Sequence, residues 1–94
     1  MFQQLFEKLA TLKPQPFKVT VLAYDTTLFS GMVTSASSVN EHGPFDILSL
    51  HSNFISILKD KLVLRTDKKQ VKEFTFTRAI LRCFENEVKV YVGI

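Results

Sequence analysis

The spacing of the apolar residues changes once along this chain, near Phe17. Before that residue, apolar side chains recur every three or four positions, which is the spacing of one face of an α-helix. After it, they recur at every second position in several runs, which is typical of half-buried β-strands. The two periods predict two parts: an amphipathic helix with a proline-containing link over residues 1–16, and a β domain over residues 17–94.

The amino-terminal part is predicted to form a short helix over residues 2–12. Its apolar face comprises Phe2, Leu5, Phe6, Leu9 and Leu12. Pro14 and Pro16 end the helix, because proline disfavours helical geometry in the residue before it. A helix this short is marginal in water, so its apolar face needs a partner. Three partners are open: the β domain of the same chain, a second chain, and a membrane surface.

The β domain is predicted from alternating runs and from the turns between them. Residues 17–22, 71–77 and 88–92 alternate between apolar and polar or mixed side chains. Turn-forming residues occur at 24–26, 30–31, 40–44, 67–70 and 85–87. This spacing favours a sandwich or barrel without crossover helices. The fold prediction is an all-β, two-layer β-sandwich of about 8–10 short strands, preceded by the amphipathic helix.

Composition excludes several classes of protein. A chain of 94 residues argues for one domain, and 46% hydrophobic residues with nine Phe exclude intrinsic disorder. No run of about 20 apolar residues is present, so no direct helical membrane span is expected. The single Cys cannot form an intramolecular disulfide, and a reducing compartment is the simpler interpretation. A net charge of +3, thinly spread, argues against a dedicated nucleic-acid partner.

No catalytic, cofactor-binding or metal-ligating residue is predicted, and the protein is not expected to be an enzyme. His42 and His51 are nine residues apart, whereas zinc sites need three or four ligands in close local pairs. Cys83 lies in a probable strand and is expected to be a buried small hydrophobe. None of the serines stands in a Gly-x-Ser-x-Gly elbow.

The remaining polar residues that could carry a function are Asp46, His51 and a cluster of lysines, and each has a simple structural interpretation. Asp46 and His51 stand between apolar neighbours, which predicts either hydrogen bonds to the backbone in a bend or exposed partner contacts. Lys68, Lys69 and Lys72 form the densest basic cluster, and a solvated hairpin tip accounts for it.

Several short motifs follow one another in an order that is similar to a known family. They are Phe-Lys-Val-Thr-Val at 17–21, Leu-Phe-Ser-Gly at 28–31, Val33, Gly-Pro-Phe-Asp-Ile-Leu at 43–48, His51 and Asn-Phe-Ile at 53–55. Together they resemble the amino-terminal β-sandwich domain of the epsilon subunit of rotary ATP synthases, called delta in mitochondria. The resemblance covers about residues 17–92 and implies a flattened two-layer sandwich with no cofactor.

The resemblance also implies partners and a function. It implies a non-catalytic rotor subunit of the central stalk, which links the gamma subunit to the loops of the membrane c-ring and couples proton or sodium flow to ATP synthesis. Residues 40–45 match the region that approaches the ring, and His51 with its neighbours matches the stretch that faces gamma. The expected interface residues are Asn40, Glu41, His42, Gly43, Pro44, Phe45, His51 and Phe54. The expected location is cytoplasmic, peripheral on the inner (plasma) membrane.

Two of the chain's departures from the family pattern affect what the resemblance implies. Thr-Arg-Ala at 77–79 replaces a glycine-containing turn, so a bend there must differ or be strained, because only glycine adopts positive φ freely. The family's carboxy-terminal helical hairpin has no counterpart, so its inhibitory and nucleotide-sensing roles are not expected here. An alternative function is therefore a free-standing β-sandwich interaction module, homodimeric through the apolar face of residues 2–12.

Overall fold

The computed structural model describes residues 15–49 and 52–93, which form seven β-strands. The strands are β1 (Phe17–Ala23), β2 (Thr26–Val33), β3 (Ser35–Asn40), β4 (Gly43–Ile47), β5 (Phe54–Arg65), β6 (Val71–Phe84) and β7 (Glu87–Val92). The all-β prediction is confirmed for this part of the chain. The helix predicted over residues 2–12 lies outside the described residues, and so does His51.

The seven strands form one sheet that folds over on itself. Their order is β2-β1-β7-β6-β5-β3-β4, antiparallel throughout except between β1 and β7. Thr34 alone separates β2, at one edge, from β3, beside the opposite edge. Because adjacent Cα atoms lie about 3.8 Å apart, those two strand ends must meet in space. The backbone N–H of Thr34 donates to the Arg65 carbonyl at 2.7 Å, which fixes the corner to β5.

The inner face of this folded sheet holds one core, as the alternation predicts. Its fully or almost fully buried members are Phe17, Val19, Val21, Val33, Ala36, Ile47, Leu58, Leu62, Leu64, Ala79, Leu81, Cys83, Val88 and Val90. The rings of Phe29 and Phe74 meet edge to face over it, with centroids 6.4 Å apart. Burying one such side chain contributes about 1.5–3 kcal/mol, so the core supplies most of the stability.

The strand count is lower than the 8–10 predicted, because β5 and β6 each run through both layers. Near its middle, the β5–β6 ladder is interrupted by a β-bulge, in which Thr77 is the extra residue of β6. Thr77 and Arg78 are both exposed, so the inward positions change from even to odd numbers along the strand. On β5, Asp60 adopts φ 73, and the Ser38 hydroxyl donates to the Lys61 carbonyl at 2.6 Å. The bulge replaces turns that would have divided each strand in two.

Two expected turns take another form in the structure. The predicted turn at 30–31 lies inside β2, where a Cβ on Gly31 would stand 3.3 Å from the ring of Phe29. Gly31 therefore continues the strand and leaves room for the Phe29 ring, and it does not reverse the chain. No residue at 77–79 has positive φ. Asp60, which lies opposite this stretch on β5, adopts positive φ instead. The bend at 77–79 was expected either to differ from the family's glycine turn or to be strained, and it differs.

Candidate partner interface

The tip of the β3–β4 hairpin is a tight two-residue loop, Glu41-His42. Asn40 and Gly43 pair across it. The side-chain oxygen of Asn40 accepts a hydrogen bond from the backbone N–H of His42 at 2.9 Å, and its amide donates to the Ser56 hydroxyl at 3.2 Å. Gly43 has φ 110, which other residues rarely adopt. The tip is therefore held in one shape and is tied to β5.

The two side chains of the tip face solvent. The imidazole Nε2 of His42 lies 3.4 Å from the carboxylate of Glu41, and their side chains are 84% and 85% exposed. Exposed pairs of this kind add little to stability. Both groups can therefore exchange their mutual contact for one with a polar partner.

A groove brings the hairpin tip together with the first half of β5. It encloses about 930 Å³. Five of the eight predicted interface residues line it: Asn40, Glu41, His42, Phe45 and Phe54. Gly43 and Pro44 complete the same hairpin but do not line the groove, and His51 is outside the described residues. Two segments that are separate in the sequence thus form one surface.

The two aromatic residues of the groove are partly embedded in the core. Phe45 on β4 and Phe54 at the start of β5 are half-buried and pack against the buried cluster. Their backbones are fixed by pairing with Ser38 and Cys83. Each ring therefore presents an apolar surface without much freedom to move, which is the property expected of an interface anchor.

The described residues on either side of positions 50–51 are held by the β6–β7 turn. The Asn53 side-chain oxygen accepts from the backbone N–H of Glu85 at 2.8 Å. The Asn86 amide donates to the Ser49 hydroxyl at 3.4 Å. Both anchors reach the same turn, so the chain enters and leaves this stretch at a fixed place.

Two exposed isoleucines beside the groove were missed by the sequence reasoning. Ile55 and Ile57 are 71% and 59% exposed and line the groove together with Lys59 and Arg78. The signal was present, because residues 54–58 are apolar on both faces of one strand. A strand apolar on both faces is either between two layers or exposed on one of them, and the sequence does not say which.

Asp46 is exposed on β4 and is not tied to the backbone of a bend. Its carboxylate accepts from the Ser37 hydroxyl at 2.6 Å, and the Arg65 guanidinium donates to that same hydroxyl oxygen at 3.0 Å. The residue lies on the outer face of a paired strand. Of the two alternatives that the sequence left open for Asp46, the structure therefore favours the exposed one.

The described residues hold neither a metal-binding cluster nor an accessible thiol. No three of the described His, Cys, Asp and Glu residues are close enough together to hold a metal ion. Cys83 is buried in the core, as predicted, and burial raises the pKa of its thiol. A protonated thiol inside an apolar core is a poor nucleophile.

The basic cluster of Lys68, Lys69 and Lys72 lies at the tip of the β5–β6 hairpin, as predicted. Lys68 and Lys69 are exposed in the connection between β5 and β6, and Lys72 follows at the start of β6. Within this connection, the Thr66 hydroxyl accepts from the backbone N–H of Gln70 at 3.2 Å.

Among the described residues, no helix has the length and hydropathy needed to cross a bilayer.

The family of the chain follows from its sequence profile. Residues 16–93 match the profile described as the β-sandwich domain of the ATP synthase delta/epsilon chain. The chain belongs to this family. The resemblance found in the motifs at 17–55 is thereby confirmed, and the match spans every described strand. No curated protein sequence matches the chain significantly.

Solved structures of two mitochondrial enzymes contain similar folds. One is a chain in the Euglena gracilis mitochondrial ATP synthase structure of OSCP, F1 and c-ring, with a TM-score of 0.77, 12% identity and coverage of 86% of this chain. The other is a chain in the Tetrahymena thermophila mitochondrial ATP synthase central stalk and c-ring, with a TM-score of 0.69, 14% identity and 88% coverage. This chain covers 52% and 67% of those two chains, so it spans about half the length of the first.

Proposed function

We propose that this protein is a non-catalytic rotor subunit of a rotary ATP synthase, joining the gamma subunit to the c-ring. The observation that carries the proposal is the family match over residues 16–93. Likeness to chains in two ATP synthase structures that include the c-ring, one with OSCP and F1 and one with the central stalk, supports the same assignment. The subunit would be peripheral to the membrane, held there by the ring.

The mechanism is mechanical and needs no bond chemistry. A part that passes torque must deform little between its two contacts. Here β5 and β6 continue through both layers, and one buried cluster packs against every strand. Close-packed cores have low compressibility, so displacement at one end of such a body is carried to the other.

The hairpin tip and the groove supply contacts of different character. The tip, residues 40–45, carries the exposed Glu41 and His42, which suit the polar loops of a c-ring. The side of the groove formed by Phe54, next to position 51, is apolar and suits the gamma subunit. Both assignments follow the family resemblance of these segments, and the predicted interface residues remain a proposal.

Coupling in a reconstituted enzyme tests the proposal. An ATP synthase lacking this subunit is incorporated in vesicles, and ATP-driven ion pumping is measured before and after the purified chain is added. We expect pumping to be restored by the wild-type chain and by Lys68→Ala, which alters the opposite hairpin. Phe45→Ala combined with Phe54→Ala should restore little. A folded wild-type chain that leaves pumping unchanged would reject the proposal.

A further inference from the structure

We propose that residues 55–58, here called the β5 edge, accept an extended segment of a partner chain as an added β-strand. The inference rests on the proposed function, since it describes how a partner in the central stalk is held. Such strand addition gains affinity from main-chain hydrogen bonds and specificity from alternate side chains.

The strand pairing leaves one side of this edge without a neighbouring strand, and the only described hydrogen bond from the hairpin tip there goes from the Asn40 amide to the Ser56 hydroxyl and not to the β5 backbone. β5 pairs with β6 along its whole length, from Phe54 opposite Cys83 to Arg65 opposite Val71. On its other side, β3 pairs only with residues 59–65. In an antiparallel ladder, alternate residues direct their N–H and C=O groups to opposite sides. No described strand therefore meets the backbone groups of residues 55–58 that point away from β6.

The other sheet edges are protected, whereas the β5 edge is not. β4 is five residues long and carries Pro44, which has no N–H to donate. β2 carries a bulge in which Leu28 is the extra residue. The β5 edge has neither proline nor charge, and Ile55 and Ile57 are exposed on it. Natural proteins usually block an apolar edge, because it is a template for pairing with another chain.

The groove limits the occupant to a slender one. The hairpin tip with Glu41 and His42 lines the same 930 Å³ as the β5 edge. A second copy pairing edge to edge would bring its own tip into that space. A single extended segment lies only about 4.8 Å from the strand that it pairs with, so it needs no such room.

The two cations at one end of the edge define the charge that the partner segment carries there, whereas Glu41 lines the groove at the hairpin tip. Lys59 and Arg78 line the groove at the carboxyl-terminal end of the edge. The complementary segment has apolar residues at alternate positions, to contact Ile55 and Ile57, and a carboxylate that reaches the two cations. Complementary charge of this kind fixes register and orientation.

Residue-resolved amide hydrogen exchange tests the inference. The probe is the complex of the full chain with purified gamma subunit and c-ring. In the free chain, we expect two alternate amides of residues 55–58 to exchange slowly, because they bond to β6, and the other two quickly. In the complex, the fast pair should slow by about a hundredfold. The fast amides of residues 67–70, on the opposite hairpin, serve as the control and should not change.

A charge reversal supplies a second readout. Arg78→Glu should weaken binding to the complex at least about tenfold, whereas Lys72→Glu, the same change elsewhere on β6, should alter it less than about twofold. If a complex forms while the fast amides stay fast, the inference is wrong and the proposed function stands. If no complex forms, the inference and the proposed function are both wrong. Concentration-dependent protection of these amides in the free chain would assign the edge to a second copy and overturn the inference.

Discussion

Two neighbouring residues of β5 show how position decides what an apolar side chain does. Leu58 is completely buried, whereas Ile57 is 59% exposed. Alternation along a strand places them on opposite faces. The same alternation allowed most core positions to be predicted from the sequence, including Phe17, Val19 and Cys83. It did not reveal the exposure of Ile57, because that depends on which layer lies opposite.

Truncating these two residues should have unequal effects on stability. Leu58→Ala leaves a cavity in the core and should lower the free energy of unfolding by about 2–5 kcal/mol. Ile57→Ala removes a side chain that is already largely hydrated and should cost less than about 1 kcal/mol. Urea unfolding of both variants measures the difference. Equal losses would show that the two residues do not face opposite sides of β5.

Cys83 should make stability depend on pH on the alkaline side. Burial raises its pKa above the ordinary value of 9.0, so the folded state favours the protonated thiol. Below pH 9.0 the thiol is protonated in both states and this contribution is complete. Above it, the unfolded chain ionises first and stability falls. Urea unfolding between neutral and alkaline pH should show a steeper decline for wild type than for Cys83→Ala; parallel curves would contradict the assignment.

At the scale of the strand, the bulge in β5 and β6 decides the architecture. Asp60 has φ 73, and the ladder slips by one residue opposite it. The sequence predicted the hairpins, since turn-forming residues mark them locally. The family resemblance placed a bend near 77–79, but nothing in the composition of Lys59–Lys61 or of residues 77–78 shows that both strands continue through it. The slip depends on long-range pairing, which a local pattern does not carry.

A β-branched residue at the bulge should destabilise the fold. Asp tolerates the left-handed region, whereas valine is strongly disfavoured there. Asp60→Val should therefore lower the free energy of unfolding by about 1–3 kcal/mol. Lys61→Val, next to it and exposed, provides the matched control and should change stability by less than about 1 kcal/mol. The comparison is made by urea unfolding, and a neutral Asp60→Val would mean that position 60 does not need positive φ.

At the scale of the whole molecule, a single residue connects strands from the two sides of the sheet. Thr34 joins β2 directly to β3, although the two strands stand at opposite sides of the strand order. The layered all-β fold was predictable from alternation and turn spacing, and the family from short motifs in order. The strand order was not, because β1 and β7 pair in parallel across nearly the whole chain. The grouping of the hairpin tip with Phe54 in one groove follows from the pairing of β3 with β5, which is likewise a long-range contact.

The most direct test of the rotor assignment is the affinity of the purified chain for a complex of gamma subunit and c-ring. Titration by biolayer interferometry should show saturable binding for wild type and for Lys68→Ala. Replacing both anchor rings, Phe45→Ala with Phe54→Ala, should weaken binding at least about tenfold. Circular dichroism verifies that each variant is folded. A folded wild-type chain that does not bind the complex would contradict the assignment.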